Sequence, residues 1–513
     1  MRVVLINPPQ VFNKTQVTAG VVPPLGVLYL SAYLKAHGIE VSVIDAVGEK
    51  HDQYATHAGT TLRGLTQAEI IARLPEKADL IGVSLMYSAS YLPAQALIAA
   101  LRAAQPNATI VVGGAHATSL PEYTLASTEA DCAVIGEGEQ PLLGLCLNLR
   151  HPEAVPGLAY KRDGSIRFSA QQELIANLDD LPFPDWAAID LRRYFQAAEP
   201  HGCSYSRRWA PLIAGRGCPY DCTFCTTPSI WRRRWRVRSV TNVLAEIALL
   251  HDSYGVTDFH FEDENLGVKP EWLHEFCDAL LAKKLSVTWQ PSNGMRAESL
   301  VAPGLMAKMK RSGCSLVVFT LESASERVRN QIMRKHLDIA KVEEAMSLAR
   351  REGLRSTCYF LLGLPGETLD EARQTVRYVH RLARQGLDEC VVSLFSLLPG
   401  SEQFDALQRA GRVTLDPRFF EDLLSIGDLS RFKSWTEHIS GRELRRLRAE
   451  AYLGFALIRA VFFPAKALHS AWNIVIGRDQ LKSERVLRTF LKRALPSLRT
   501  AGRATYGTRQ GER

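Results

Sequence analysis

The sequence predicts an α/β protein in which a doubly wound, flavodoxin-like N-terminal domain precedes a partial (β/α)6 barrel of the TIM type and a helical C-terminal extension. Three observations predict it. Short β-branched runs alternate with helical stretches over the first 150 residues and again from Pro211. Runs such as IVVGG and LIGVSL have no polar face, which is the mark of a parallel sheet covered on both sides. At 513 residues the chain exceeds what one core organises, so two or three domains are required.

The first domain spans residues 1–150, with strands expected at 2–7, 41–45, 80–85, 109–113 and 132–135 and helices at 25–37 and 91–104. In such sheets a ligand sits beyond the carboxyl ends of the strands. Gly113, Gly114 and His116 fall there after one strand, and Gly136, Glu137 and Gly138 after the next. Glycine at these places lets a bulky ligand approach the backbone. Residues 151–205 lack periodicity and contain the Pro-rich LPFPDW, so they read as a linker. The barrel, 206–405, is expected to use strands at 211–216, 257–263, 287–293, 315–322, 356–363 and 389–398. Right-handed βα crossovers then place its chemistry at the C-terminal strand ends. Residues 406–513 form the extension.

Composition narrows the class. With 46% hydrophobic and 23% charged residues and no low-complexity tract, the chain is neither disordered nor fibrous. The best candidate for a membrane span, 451–476, is broken by Arg459, Pro464, Lys466 and His469. The N-terminal MRVVLINPPQ enters a strand directly, unlike a signal peptide, so a cytoplasmic location is expected. Ten cysteines are too few and scattered for a disulfide scaffold. Seven of them (Cys132, Cys146, Cys203, Cys277, Cys314, Cys358 and Cys390) read as buried thiols. The net charge of +8 is concentrated beyond residue 440, where 16 Lys/Arg face 5 Asp/Glu. A nucleic-acid partner is therefore not expected of the protein as a whole.

Cys218, Cys222 and Cys225 are different: they form C-x3-C-x2-C just after the first barrel strand. Soft sulfur donors favour zinc or an iron–sulfur centre. A structural zinc needs a fourth ligand, and none follows at short spacing. Three ligands on a four-iron cluster leave one iron open.

With Phe224 before its last cysteine, this loop resembles that of the radical S-adenosylmethionine (SAM) superfamily, a resemblance covering about residues 205–400. It implies a 4Fe-4S cluster on the catalytic cysteines Cys218, Cys222 and Cys225, with SAM beside it. Glu262, Asp263 and Glu264 resemble the acidic motif that contacts the methionine amino group, but they depart from Gly-Gly-Glu, so all three carboxylates stand as candidates. Glu322 and Ser323 look like the ribose-contacting motif. Gly363, Pro365 and Gly366 are similar to the segment beside the adenine.

The runs PPLGVLYLSAYLKAHG, VIDA, VGGAHAT and GEGE resemble the cobalamin-binding domain fused ahead of many such barrels, as in class B radical SAM methyltransferases. That resemblance implies cobalamin contacts at Asp45, Gly113, Gly114, His116, Gly136, Glu137 and Gly138. The Asp-x-His-x-x-Gly motif that supplies a lower histidine ligand is missing, because Ala46-Val47-Gly48 follows Asp45.

The implied activity is methylation of an unactivated carbon of a small molecule through a 5′-deoxyadenosyl radical and methylcobalamin. A cyclase or rearrangement enzyme without methyl transfer, and a non-catalytic sensor, are the alternatives. An electron donor such as flavodoxin or ferredoxin is implied as a partner. The Arg/Trp run at 231–238 reads either as an anion-recognising segment or as a loop packed on the first domain. The tail from 441, with apolar residues among arginines, reads either as a surface for a membrane and a lipid substrate or as a lid over the barrel. Its last fifteen residues are expected to be disordered.

Overall fold

The computed structural model describes residues 1–13, 20–57, 60–425 and 431–494; the expectation for the last fifteen residues lies outside them. Five parallel strands build the first sheet: β1 (Arg2–Asn7), β2 (Glu40–Asp45), β3 (Leu80–Ser84), β4 (Thr109–Gly113) and β5 (Cys132–Val134). Their order is 2-1-3-4-5, so the chain reverses direction across the sheet between β1 and β3. That switch point opens a crevice at the strand ends. Val4, Ile6, Ile81, Val83, Ile110 and Val112 point to one buried face, and Val3, Leu5, Leu80 and Val111 to the other. The segment expected to be only a linker extends this sheet with two antiparallel strands, β6 (Leu158–Arg162) and β7 (Ser165–Phe168). Its first strand reads LAYKR, too short and too mixed for periodicity to reveal.

Six parallel strands follow: β8 (Trp209–Leu212), β9 (Asp258–Phe261), β10 (Thr288–Pro291), β11 (Leu316–Glu322), β12 (Arg355–Leu362) and β13 (Glu389–Leu394). They pair in chain order within two triplets. Bridges Trp289–Cys314 and Met295–Phe319 join the triplets into the partial barrel. In β9 the alternation is plain: Phe259 and Phe261 join the apolar layer under the helices, whereas Asp258 and His260 are buried without joining it. The first barrel strand ends at Leu212, earlier than expected. Residues 215–216 instead pair antiparallel with Arg236–Val237.

Two further features position the site. The end of the linker threads the barrel, where Cys203 N donates to Gln290 Oε1 at 3.0 Å and Tyr205 N donates to Asp258 Oδ2 at 2.9 Å. Helix α1 (Leu369–Gln385) carries α2 (Gly441–Phe462) on its outer side, followed by α3 (Pro464–Ile476) and α4 (Lys482–Ala494). The residues of 417–424 bridge the two halves, Phe420 lying 4.8 Å from Tyr91 of the front domain.

Candidate functional site

The cysteine loop leaves β8 through Gly215, Arg216 and Gly217. A Cβ on Gly217, whose φ is +90°, would lie 2.1 Å from Arg234 O, so glycine is required where the returning strand crosses. Thr223 ties the loop to the barrel: its N donates to Met333 O at 3.1 Å and its Oγ1 to Ile332 O at 2.8 Å. Arg296, stacked 3.9 Å from the centre of the Tyr220 ring, donates to Lys335 O at 2.6 Å.

Cys218, Cys222 and Cys225 are the only cysteines among the described residues that are not fully buried. They lie in one another's electrostatic field, and burial raises all three thiols, Cys222 to about 11, with Lys335 and Arg296 opposing the rise there. No three His, Cys, Asp or Glu groups among the described residues close around a single ion. A four-iron cluster does not ask for that, since each thiolate takes a different iron. The donor set therefore fits such a cluster, whose binding displaces three thiol protons.

The three candidate carboxylates after β9 separate by their partners. Asp263 accepts from Ala214 N at 3.0 Å and Gly215 N at 2.5 Å, and burial pushes its carboxyl up to about 7. Glu264 accepts from Gly217 N at 3.0 Å and from Trp231 Nε1 at 2.6 Å. Both are thus spent on holding the cysteine loop. Glu262 has Oε2 on His201 Nδ1 at 2.8 Å and a buried Oε1 with no partner. Burial pushes its carboxyl up, but His201 overrides it and holds it below the usual range. Asn265, missed in the sequence, offers a second buried, unpartnered oxygen beside Cys218. Its only signal was a polar residue closing an acidic run.

At the end of β11, Glu322 adopts φ +72°, a strained conformation for a non-glycine residue, at a register shift. Its Oε1 meets Lys335 Nζ at 3.0 Å. Ser323, expected beside the ribose, is fully buried and bonds Thr375 Oγ1 and Ser325 N. Gly363, expected beside the adenine, leaves room for Leu444 of α2, whose Cδ1 a Cβ would meet at 2.7 Å. Pro365 and Gly366 complete this turn, half-buried, with Gly366 at φ +79°. The turn is closed by Glu367, which accepts from Gly363 N at 2.5 Å. Phe224 packs into the core shared by both halves.

In the front domain several expected cofactor contacts have other work. Asp45 is buried, accepting from Asn7 Nδ2 at 2.8 Å, Gly48 N at 3.2 Å and the Tyr194 hydroxyl. His116 is 1% exposed, with Nδ1 2.9 Å from Ser88 Oγ and Nε2 3.3 Å from Thr124 Oγ1. Burial lowers it to about 4, so it is a neutral core imidazole. Gly114, at φ +112°, passes so close to Leu85 O that a Cβ would lie 2.8 Å away; Gly138 likewise admits Leu30. Gly113 and Gly136 remain at their strand ends, and Gly136 N donates to Thr118 Oγ1 at 3.0 Å.

Glu137 does not face a ligand crevice either. Its Oε1 meets Arg216 Nη1 at 2.8 Å, its Oε2 meets Arg236 Nη1 at 2.8 Å, and Arg216 Nη2 meets Glu139 Oε1 at 2.6 Å. All four side chains are at most 10% exposed. Burial pushes the Glu139 carboxyl up and Arg216 overrides it, leaving it below the usual range. The GEGE run is thus clamped to the residue two before Cys218, and the Arg/Trp run takes the packing role, Arg238 also pairing with Glu246. What stays open above the sheet is the loop after β3, where Met86 is 49% and Tyr87 71% exposed. Tyr87 lies within the electrostatic reach of Glu262. A large flat cofactor is received at such strand ends by backbone and exposed side chains of this kind.

Comparison with known proteins agrees with this division. The B12 binding domain family matches residues 15–145, and the Radical SAM superfamily matches residues 212–379. An uncharacterised methyltransferase of Pyrococcus horikoshii is 25% identical, covering 89% of this chain and 93% of its own. Cytidylyl-2-hydroxyethylphosphonate methyltransferase of Streptomyces wedmorensis is 26% identical, covering 83% and 85%. Among solved structures, the radical SAM methyltransferase TsrM of Kitasatospora setae with cobalamin and a [4Fe-4S] cluster aligns at TM-score 0.62, 18% identity, over 81% of this chain and 76% of its own. The cobalamin-dependent SAM radical enzyme OxsB aligns at TM-score 0.66, 16% identity, over 96% and 75%.

Proposed function

We propose that this chain, a member of the cobalamin-binding radical SAM family, methylates an unactivated carbon of a small-molecule substrate between its two halves. The observation that carries this is the mutual approach of the two sets of strand ends, with Glu137 beyond β5 of the front domain meeting Arg216 beyond β8 of the barrel at 2.8 Å. When bound, the 4Fe-4S cluster and SAM supply one-electron homolysis, and cobalamin supplies the methyl donor.

The chain's own residues supply place and exclusion. Cys218, Cys222 and Cys225 would hold the cluster. Glu262 and Asn265, with their unpartnered oxygens, are suited to accept hydrogen bonds from a methionine ammonium. Glu322 and Gly366 stand at neighbouring strand ends for the rest of the nucleoside. Gly113 and Gly136 border the corrinoid crevice. Asp263, Glu264 and Arg216 fix the cysteine loop, so that the reacting groups meet in a set geometry. The linker segment 200–206 runs through the barrel from His201 on Glu262 to Tyr205 on Asp258, and with Lys482 it fills the interior and keeps water out of it.

The partners on this reading are a flavodoxin- or ferredoxin-type electron donor and, through the C-terminal helices, a membrane surface. The test is anaerobic turnover with methyl-labelled SAM and a low-potential reductant. Label in a carbon-methylated product supports the reading. 5′-Deoxyadenosine without transferred label favours a cyclase or rearrangement, and neither product favours a sensor.

A further inference from the structure

Eleven of the twenty large apolar side chains that stand exposed among the described residues belong to α2, α3 and α4. On α2 they are Leu453, Leu457 and Val461, one turn apart, on the side away from the buried Ala451 and Phe455. On α3 they are Leu468, Trp472 and Val475, spaced i, i+4, i+7, and the helix buries only Asn473. On α4 they are Val486, Leu487 and Phe490. A monomeric surface rarely gathers so much apolar area in one place. No single described helix is long and apolar enough to cross a bilayer; α2 and α3 reach that length and hydropathy only together, across a bend of 116°.

The charge around this face specifies what covers it. Residues 441–494 carry 12 Lys/Arg against 4 Asp/Glu. Of the four carboxylates, Asp479 and Glu484 are buried, Glu443 caps α2 and Glu450 is exposed; of the basic residues, Arg485 and Arg488 pair with Asp479, Lys466 pairs with Asp388 and Lys482 enters the barrel, while Arg442 and Arg446 stand exposed on α2. On α1, Arg377, Arg381 and Arg384 stand exposed around His380, the residue that meets α2 at Gly454. Arg478 lies exposed just past α3. Apolar side chains bordered by arginine are the pattern that enters the headgroup region of an anionic leaflet.

We infer that the outer face of α2–α4 docks on an anionic lipid bilayer, and that the enzyme takes a substrate residing in the lipid phase. The second half follows from continuity: α4 packs on α3 and exposes Val486 and Phe490 while Lys482, at its first turn, reaches into the barrel to within 2.6 Å of Tyr359 OH. This deepens the membrane contact named above and rests on that reading for its chemistry.

The test uses the full-length holoenzyme in co-flotation with vesicles of equimolar phosphatidylglycerol and phosphatidylcholine, and with phosphatidylcholine alone. Binding to the anionic vesicles, weakened at least tenfold by Leu457→Glu or Trp472→Glu and by raised salt, is expected. Both substitutions fall on exposed positions, so iron content and melting temperature stay at wild-type values. Absence of flotation overturns the dock, as does flotation that the substitutions leave unchanged. A lipid-free dimer that the same substitutions dissolve also overturns it, because the face then joins two copies. Transferred label recovered in the chloroform-extractable fraction supports the lipid-phase substrate, and label confined to water-soluble product overturns it. Flotation needs no turnover, so failure of the methylation reading is seen separately.

Discussion

The strand ends of the front sheet and those of the barrel face each other but are finished in opposite ways. In the front domain the polar groups are shut: His116 has both ring nitrogens engaged, Asp45 accepts three hydrogen bonds, and Glu137 and Glu139 are paired with arginine. In the barrel, Glu262 and Asn265 keep buried oxygens without partners. The difference teaches which cofactor each side suits. A closed floor of backbone and apolar side chains receives a large corrinoid by shape, whereas unpaired buried acceptors are costly unless a ligand with donors completes them.

The strongest way to break this comparison is to remove one side only. Cys222→Ala is expected to abolish 5′-deoxyadenosine formation and acid-labile sulfide while corrinoid binding to the front domain, read by its absorbance, stays intact. Loss of both together would mean that the halves do not fold independently.

Cutting the clasp comes next. Arg216→Met leaves Glu137 and Glu139 buried beside a missing cation, and about 3–5 kcal/mol of stability should go, measured by urea unfolding. The double change Arg216→Met with Glu139→Gln should recover much of it, since Glu137 keeps Arg236. Recovery of stability without recovery of the cluster's electronic spectrum would show that the clasp also sets the cysteine loop.

A smaller effect separates the three carboxylates. Glu262→Gln should weaken SAM binding about 10- to 100-fold at unchanged stability, the loss of one charge-assisted hydrogen bond. Glu264→Gln should instead lower iron content. Equal effects from both would remove the distinction drawn from their partners.

The smallest effects are in pH dependence, and they have opposite signs. His116 is lowered to about 4 against an ordinary 6.5, so the folded state loses stability as pH falls through that window. Asp263 is raised to about 7 against 3.8, so its stability contribution falls as pH rises from about 4 to 7. Each is worth on the order of 2–4 kcal/mol at most. Chemical unfolding across pH should show His116→Gln flattening the acid limb and Asp263→Asn removing a decline in stability between about pH 4 and 7.

Much of this was legible beforehand. The six barrel strands, the parallel front sheet and the cysteine loop are local patterns, and the structure places them where periodicity and spacing put them. Glu137 and His116 were not legible as what they are. Each follows a strand end as a ligand contact would, and only the partner across space, Arg216 in one case and Ser88 with Thr124 in the other, decides its role. Gly363 is similar: the sequence shows a glycine in a turn, and the structure shows Leu444 of a distant helix needing its space.

The sequence by itself determined the two layered architectures and the trio of thiols, because both rest on residue type repeated at short spacing. Tertiary structure decided which carboxylates are spent on the fold and which stay open, since a buried charge takes its state from neighbours that lie far along the chain. It also decided that the C-terminal helices leave an apolar face uncovered. Amphipathicity marks a face to be buried, but only packing settles whether the protein itself does the burying.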